Sequence, residues 1–158
     1  MKNLHKFFQD GPLTIESEEE MRGLGRRLAA ELERGDALGL VGDLGAGKTR
    51  LAQGVLEGLG AAQPGLSPTF SLVHEHADAR IPTAHFDFYR MSTPEEALGL
   101  GWDEYLSGQW ALLVEWADRF DGALMPQDAI WLTIERTGDS TRRVHCASGV
   151  QDASLAEE

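Results

Sequence analysis

Apolar residues recur along this chain of 158 residues with two different periods. Met21, Leu24, Leu28 and Leu32 share one face at helical spacing, and Ser17 with Glu20 forms a capping box ahead of them. The pattern predicts a helix from Ser17 that ends before Gly35. A second stripe, Leu51, Val55, Leu56 and Leu59, predicts another helix stopped by Gly60. Between the two lies a short apolar run, Leu38, Leu40 and Val41, that reads as a strand. Leu72 to His76 and Thr83 to Phe88 read as two short strands across a turn at Ala77–Arg80. Thr93, Pro94 and Glu96 suggest a second capping box, with proline at the first helical position of a helix reaching Leu100.

Ala111, Leu112, Leu113 and Val114 are continuously apolar, as in a parallel strand buried on both faces. Ile130, Leu132 and Ile134, then Val144 and Cys146, alternate on either side of a turn at Thr137–Thr141, an antiparallel pattern. Phe7 and Phe8 would pack an N-terminal strand or turn onto the body. Trp102, Tyr105 and Leu106 form an aromatic-apolar cluster that suits a core or a partner surface better than a base-stacking platform. The order of elements predicts one α/β domain over residues 1–149, a mixed sheet flanked by helices. The sheet would have a parallel core and antiparallel C-terminal strands, followed by a short acidic tail at 150–158.

Composition narrows the functions open to such a domain. The formal net charge is −12, which argues against the chain gripping nucleic acid unaided, because that depends on neutralising phosphates with basic residues. An RNA role would need a basic partner. The single cysteine, Cys146, leaves no internal disulfide and no cysteine-based zinc cluster, and its place in an alternating strand favours a small buried hydrophobe over a nucleophile. No apolar run resembles a signal peptide or reaches membrane-spanning length, so the chain reads as cytoplasmic with no membrane or DNA partner.

The sharpest chemical signal is Gly42, Asp43, Leu44, Gly45, Ala46, Gly47, Lys48 and Thr49, which matches the P-loop G-x-x-x-x-G-K-[ST]. A predicted strand precedes it and a predicted helix follows, which makes the expected α/β fold P-loop NTPase-like. Its glycines let backbone amides converge on phosphate oxygens, and the helix N-terminus adds partial positive charge. Lys48 would reach the β- and γ-phosphates, and Thr49 would offer its hydroxyl to Mg2+. Lys2 and Lys6 are the only other lysines, so a chain that otherwise uses arginine keeps a compact ammonium where a phosphate suits it.

Further candidates follow in chain order. Pro64, Gly65 and Pro68 keep the next segment from being helical, and Ser67 and Thr69 place two hydroxyls where a switch could order around a γ-phosphate; an ordinary polar loop is the rival reading. Asp87, at the end of a strand, is either a Mg2+ partner or a solvated or capping carboxylate. His85 alternates with Phe86 and reads as a core histidine. Glu115 ends the apolar run at the C-terminal edge of the sheet, where doubly wound folds bind ligands. It is either a ligand of Mg2+ or its water, an orienter of the attacking water, or a solvent-exposed strand end.

Taken together, the P-loop, Ser67-Pro-Thr-Phe-Ser-Leu-Val73, His85-Phe-Asp-Phe-Tyr-Arg90 and Leu113-Val-Glu-Trp116 resemble the bacterial TsaE (YjeE) family. These four motifs, in the family's order, carry a resemblance that covers the chain from about Ser17 to Cys146. It implies a small ATPase that works with TsaD and TsaB, the partners that install threonylcarbamoyl on the adenosine beside the tRNA anticodon, with tRNA met only indirectly. It implies that Lys48 serves the phosphates, Thr49 the metal, and Asp87 and Glu115 the Mg2+ ion and water. Ser67, Pro68 and Thr69 become a switch-like segment, Trp116 lies next to the active edge, and Ser17 and Glu18 lie near the nucleotide base. Ala117 departs from the family, many of whose members have proline there; the following loop is affected more than the chemistry.

The expected reaction is Mg2+-dependent hydrolysis of ATP, with Lys48, Asp87 and Glu115 as catalytic residues and ATP and Mg2+ as cofactors. Asp43, Leu44, Gly45, Ala46, Gly47, Lys48, Thr49, Ser67, Thr69, Ser17 and Glu18 would contact the nucleotide. No arginine finger stands out; Arg90 and Arg119 are candidates, with surface ion pairs as the rival role. Two other classes stay open: a small-molecule P-loop kinase, which would need an acceptor pocket and an arginine-rich lid, and a nucleotide-gated docking module with little turnover.

Overall fold

The computed structural model describes residues 2–65, 68 and 72–148, so Ser67, Thr69 and the predicted acidic tail lie outside the described residues. Seven strands form one mixed sheet: β1 (Leu13–Ile15), β2 (Ala37–Val41), β3 (Val73–His76), β4 (Thr83–Asp87), β5 (Ala111–Glu115), β6 (Ile130–Arg136) and β7 (Arg142–Ser148), in the spatial order β1-β7-β6-β2-β5-β4-β3. The helices are α1 (Glu18–Ala29), α2 (Lys48–Gly58), α3 (Glu95–Gly99) and α4 (Trp102–Tyr105). Strand β2 is central and parallel to both β5 and β6, and β4 is parallel to β5. Antiparallel pairing occurs at both edges, β3 on β4 and β7 between β6 and β1. The predicted α/β fold with a mixed sheet is the observed one, with one refinement. Strand β6 belongs to the parallel core on its β2 side and is antiparallel only toward β7.

Alternation along the strands sorts the core into two layers. Leu38 and Leu40 of β2, with Ala111 and Leu113 of β5, pack under α1 and α2 beside Leu24, Leu28, Leu51 and Leu56. Ala37 and Val41, with Leu112 and Val114, face the opposite layer, where Phe86, Phe88 and Trp102 stack edge to face and Trp131 fills the remaining space. Helices α1 and α2 approach backbone to backbone because Gly25 and Gly54 sit at their crossing. A Cβ at Gly54 would strike the Arg22 carbonyl, and one at Gly25 the Leu51 carbonyl. Arg22 and Arg26 of α1 both pair with Glu57 of α2 and tie the crossing at its solvent side.

The caps differ in detail from the pattern. Ser17 caps α1 as expected, its Oγ accepting from the Glu20 amide at 3.1 Å, while the Glu20 carboxylate accepts from the Glu16 amide at 2.7 Å. The regular helix ends at Ala29, and Leu32 is buried beyond it. At the second box, Thr93 makes no side-chain cap; α3 begins one residue later, and Glu96 reaches back to the Ser92 amide. Proline has no amide to donate, so the helix sets its start around Pro94 and the reciprocal bond moves upstream. Where a strand or turn was expected, residues Lys2–Phe8 form a 3-10 helix, and Phe7 and Phe8 pack onto the body against the α1/α2 layer.

Candidate active site

The site is built where β2 ends and α2 begins, at the C-terminal edge of the parallel strands. Gly42–Gly47 span that gap, and Gly47, with φ +116°, holds the N-cap position of α2 in a conformation that side chains other than glycine's disfavour. A Cβ there would also press on the Met21 methyl. The loop tip is open to solvent: Leu44 is 73 % exposed. Lys48 is buried, and its Nζ donates to the carbonyls of Gly42 (2.5 Å) and Asp43 (2.8 Å). It also lies 4.1 Å from the centre of the Trp116 ring, a cation–π contact. Burial pulls the Lys48 pKa down from its ordinary value, opposed by the carboxylates of Glu115, Asp118, Asp87 and Asp43.

Strand parity delivers the acids. Asp87 and Glu115 are register partners on the neighbouring parallel strands β4 and β5. Phe86 and Val114 face the aromatic layer, so Asp87 and Glu115 face the side that carries α2. His85 shares that parity. Glu115 is only 2 % exposed, and both carboxylate oxygens are engaged: Oε1 accepts from the Thr49 hydroxyl at 2.8 Å, and Oε2 lies 2.7 Å from His85 Nε2. Burial pushes the Glu115 pKa up, but the His85 hydrogen bond and charge, the Thr49 hydroxyl and the Lys48 ammonium together hold it below the usual value. Asp87 is half-buried, accepts from the Tyr89 amide at 2.9 Å, and is pushed up, chiefly by burial.

Glu18, Leu44, Gly45, Gly47, Lys48, Thr49, Asp87 and Glu115 thus line one cavity of about 450 Å³ together with Tyr89 and Trp116, whose ring centres are 4.7 Å apart. Trp116 adopts a left-handed backbone, φ 56°, immediately after the buried acid. Such a conformation is costly for a bulky residue and clusters at functional sites. Ala46 is buried beneath the loop, and Asp43 contributes its carbonyl to Lys48. Ser17 lies apart from this cavity and lines a neighbouring one of about 270 Å³ with Glu18, Gly45, Gly47, Asp139 and Arg142. Glu18 also pairs with Arg50 at 3.4 Å. Arg90 lines the main cavity, whereas Arg119 donates twice to the Met91 carbonyl and stacks on Phe120.

Two groups escaped the sequence reading of the site. His85 was expected in the core; it is buried as expected, but against Glu115. Its position two residues before Asp87 on an alternating strand was the available signal. Arg142 donates to P-loop carbonyls from 96 residues away, and no local pattern points to it. Among the described residues, no group of three or more histidine, cysteine or carboxylate side chains is placed to hold a metal. The oxygens that are present, Thr49, Asp87 and Glu115, are hard donors of the type Mg2+ takes one or two at a time, keeping water and phosphate oxygens for the rest. With its proton on Glu115, the Thr49 oxygen keeps lone pairs for a cation. The residues therefore fit Mg2+ bound together with a phosphate.

Comparisons with known proteins identify a family for the chain. The profile of the family described as "Threonylcarbamoyl adenosine biosynthesis protein TsaE" matches residues 15–144. A tRNA threonylcarbamoyladenosine biosynthesis protein TsaE from Bacillus subtilis is 43 % identical over 141 residues, covering 89 % of this chain and 87 % of the relative. The protein of the same name from Nostoc is 39 % identical over 109 residues, covering 66 % and 67 %. The crystal structure of Bacillus subtilis YdiB superposes with a TM-score of 0.71 at 36 % identity, covering 92 % of this chain and 90 % of that one. With the strand–loop–helix site in place and a match that spans it from end to end, the chain belongs to the TsaE family of threonylcarbamoyl adenosine biosynthesis proteins.

Proposed function

We propose that this protein is the Mg2+-dependent ATPase of tRNA N6-threonylcarbamoyladenosine formation, hydrolysing ATP to ADP and phosphate in support of a TsaD–TsaB complex. The observation that carries the reading is the convergence of Lys48, Thr49 and Glu115, from the P-loop helix and the adjoining strand, on one cavity. The P-loop amides cradle the phosphates, and Lys48 exchanges its two loop carbonyls for phosphate oxygens when a nucleotide enters. Asp87 and Glu115, fixed in register, orient the attacking water against the γ-phosphate; its oxygen bonds the γ-phosphorus as the bond from that phosphorus to the β–γ bridging oxygen breaks, its proton passes to the carboxylate pair and on to the released phosphate, and ADP leaves. Thr49, Asp87 and Glu115 would hold Mg2+, which neutralises charge on the β- and γ-phosphate oxygens when bound.

Turnover by the isolated protein should be slow. Arg119 is committed to the Met91 carbonyl, which leaves Arg90 on the cavity wall as the cis candidate; an arginine on transition-state charge is worth about 10³–10⁵ in rate, so fast turnover by the pure protein would give Arg90 that role and count against this reading. The net charge of −12 fits a division of labour in which partners carry the tRNA. The test is phosphate release from Mg2+-ATP by the purified protein, alone and then with TsaD, TsaB and tRNA. A low basal rate that rises with the partners and disappears in Lys48→Ala is expected. ATP binding without stimulation would point instead to a docking module, and phosphate transfer to a small acceptor to a kinase.

A further inference from the structure

A phosphate-binding loop turns its amides inward, which leaves its carbonyls on the outer side in need of donors. In this protein Lys48 takes the carbonyls of Gly42 and Asp43, and those of Gly45 and Ala46 meet a single side chain from outside the loop. Arg142, the first residue of β7, donates from Nε to the Ala46 carbonyl at 2.9 Å and from Nη2 to the Gly45 carbonyl at 3.3 Å. Its remaining nitrogen, Nη1, donates to Gly138 and Thr141 at 3.2 and 2.9 Å, the carbonyls of the turn that joins β6 to β7. That turn is itself closed by the Thr137 amide on the Thr141 carbonyl at 3.1 Å. Arg142 is further placed by register, opposite Arg136 in β6 and Ile15 in β1.

We propose that Arg142 is a positioning residue for nucleotide binding, a rigid fork that joins the β6–β7 turn to the outer face of the P-loop and holds the loop in its phosphate-binding shape. The inference rests on the nucleotide reading of the site. Gly45 and Gly47 both have positive φ, 82° and 116°, and a loop of such residues loses much conformational freedom when it orders. A planar guanidinium can span two adjacent carbonyls and the turn behind them at once; a lysine ammonium is a single point on a flexible stem and cannot. Arg142 touches no cavity-facing group of the carboxylate side, so its effect is on loop shape and hence on binding, not on the attacking water.

The experiment uses the full chain with Arg142→Ala and Arg142→Lys, and Arg143→Ala, an exposed neighbour, as control. Three quantities are read: binding of inorganic pyrophosphate and of ADP, amide hydrogen exchange of residues 43–49 without ligand, and thermal melting. Both Arg142 variants should bind pyrophosphate and ADP about tenfold more weakly, by the same factor for each, with faster exchange confined to the loop and melting close to the parent. Arg142→Lys keeps the charge on a slightly shorter aliphatic stem and removes only the fork, so it answers the question should Arg142→Ala fail to fold. Affinities within twofold of the parent would overturn the proposal, and so would weaker binding with unchanged loop exchange, which would mean a direct contact with the ligand. A loss for ADP but not for pyrophosphate would also overturn it, by placing Arg142 at the nucleoside. If the parent binds neither ligand while Arg142→Ala still loosens the loop, the clamp stands and the nucleotide reading fails.

Discussion

The P-loop is gripped from two sides by opposite kinds of chemistry. Toward β4 and β5 the contacts are between side chains: Thr49 on Glu115, His85 on Glu115, Lys48 over Trp116. Toward β7 they run from one guanidinium to backbone carbonyls of the loop. The first flank is specific for charge and for protons, the currency of bond breaking. The second is indifferent to what the loop residues are and sensitive only to where their carbonyls lie. Turnover and binding should therefore come apart when the two flanks are altered separately.

The largest separation is expected from Glu115→Gln. The amide keeps the size and an acceptor for the Thr49 hydroxyl but cannot take a proton or hold full negative charge toward water. ATP turnover should fall by about 10²–10³-fold, while ADP affinity measured without Mg2+ should stay within about threefold. Arg142→Ala should do the reverse. Steady-state phosphate release beside equilibrium titration decides it; if Glu115→Gln weakens metal-free ADP binding as much as it slows turnover, the two flanks are not distinct.

How far this arrangement could be read from sequence follows the same division. The carboxylate flank was legible because β4 and β5 are alternating or continuously apolar runs whose last residues are acids, and strand order in a P-loop sheet brings such ends together. Even His85 carried a signal, the parity it shares with Asp87. The arginine flank was not. Strand β1 is three residues long, Leu13–Ile15, too short for a period to register, and it is needed to complete the placement of β7. Arg142 bonds to carbonyls, which every residue possesses, so no residue type at Gly45 or Ala46 could announce the contact. The start of α3 moved for a similar reason: the preference for a cap at Thr93 was real, but backbone donors around Pro94 decided where the helix began.

Acid should lower the stability of the fold without acting on either flank directly. His76 lies at the other end of the sheet from the carboxylates, in register with Thr83 at the start of β4; it is buried, its ring is 5.1 Å from His74, and its Nε2 has no hydrogen-bond partner. Burial, with help from His74 and His85 and against Asp78, lowers its pKa from 6.5 to about 4. Above pH 6.5 the ring is neutral in both the folded and the unfolded chain, and pH acts on neither. Between 6.5 and about 4 the unfolded chain takes up a proton that the folded chain refuses, so stability falls as pH falls. From pH 7 to pH 5 the loss through this group should be about 2 kcal/mol. Urea midpoints at the two pH values, compared with those of His76→Gln, measure it; an equal slope in parent and variant would remove His76 as the cause.

The smallest effect concerns a residue that lies on the arginine side but acts on neither flank. Ser17 lines the lesser cavity with Arg142 and Asp139, and resemblance to the family places it near the nucleotide base. Its Oγ, however, is already occupied as the acceptor for the Glu20 amide at the start of α1. Moving that oxygen onto a base would leave a helix-end donor to water, and the exchange gains little. Ser17→Ala should therefore cost about 1 kcal/mol of stability, the usual worth of an N-cap, and leave ADP and pyrophosphate affinities as they were. A drop in ADP affinity alone, at unchanged pyrophosphate affinity, would show that the nucleoside competes successfully for the cap and that the lesser cavity is its seat. If neither affinity moves, the α1 end of that cavity is scaffold, and the grip on the loop from this side belongs to the guanidinium.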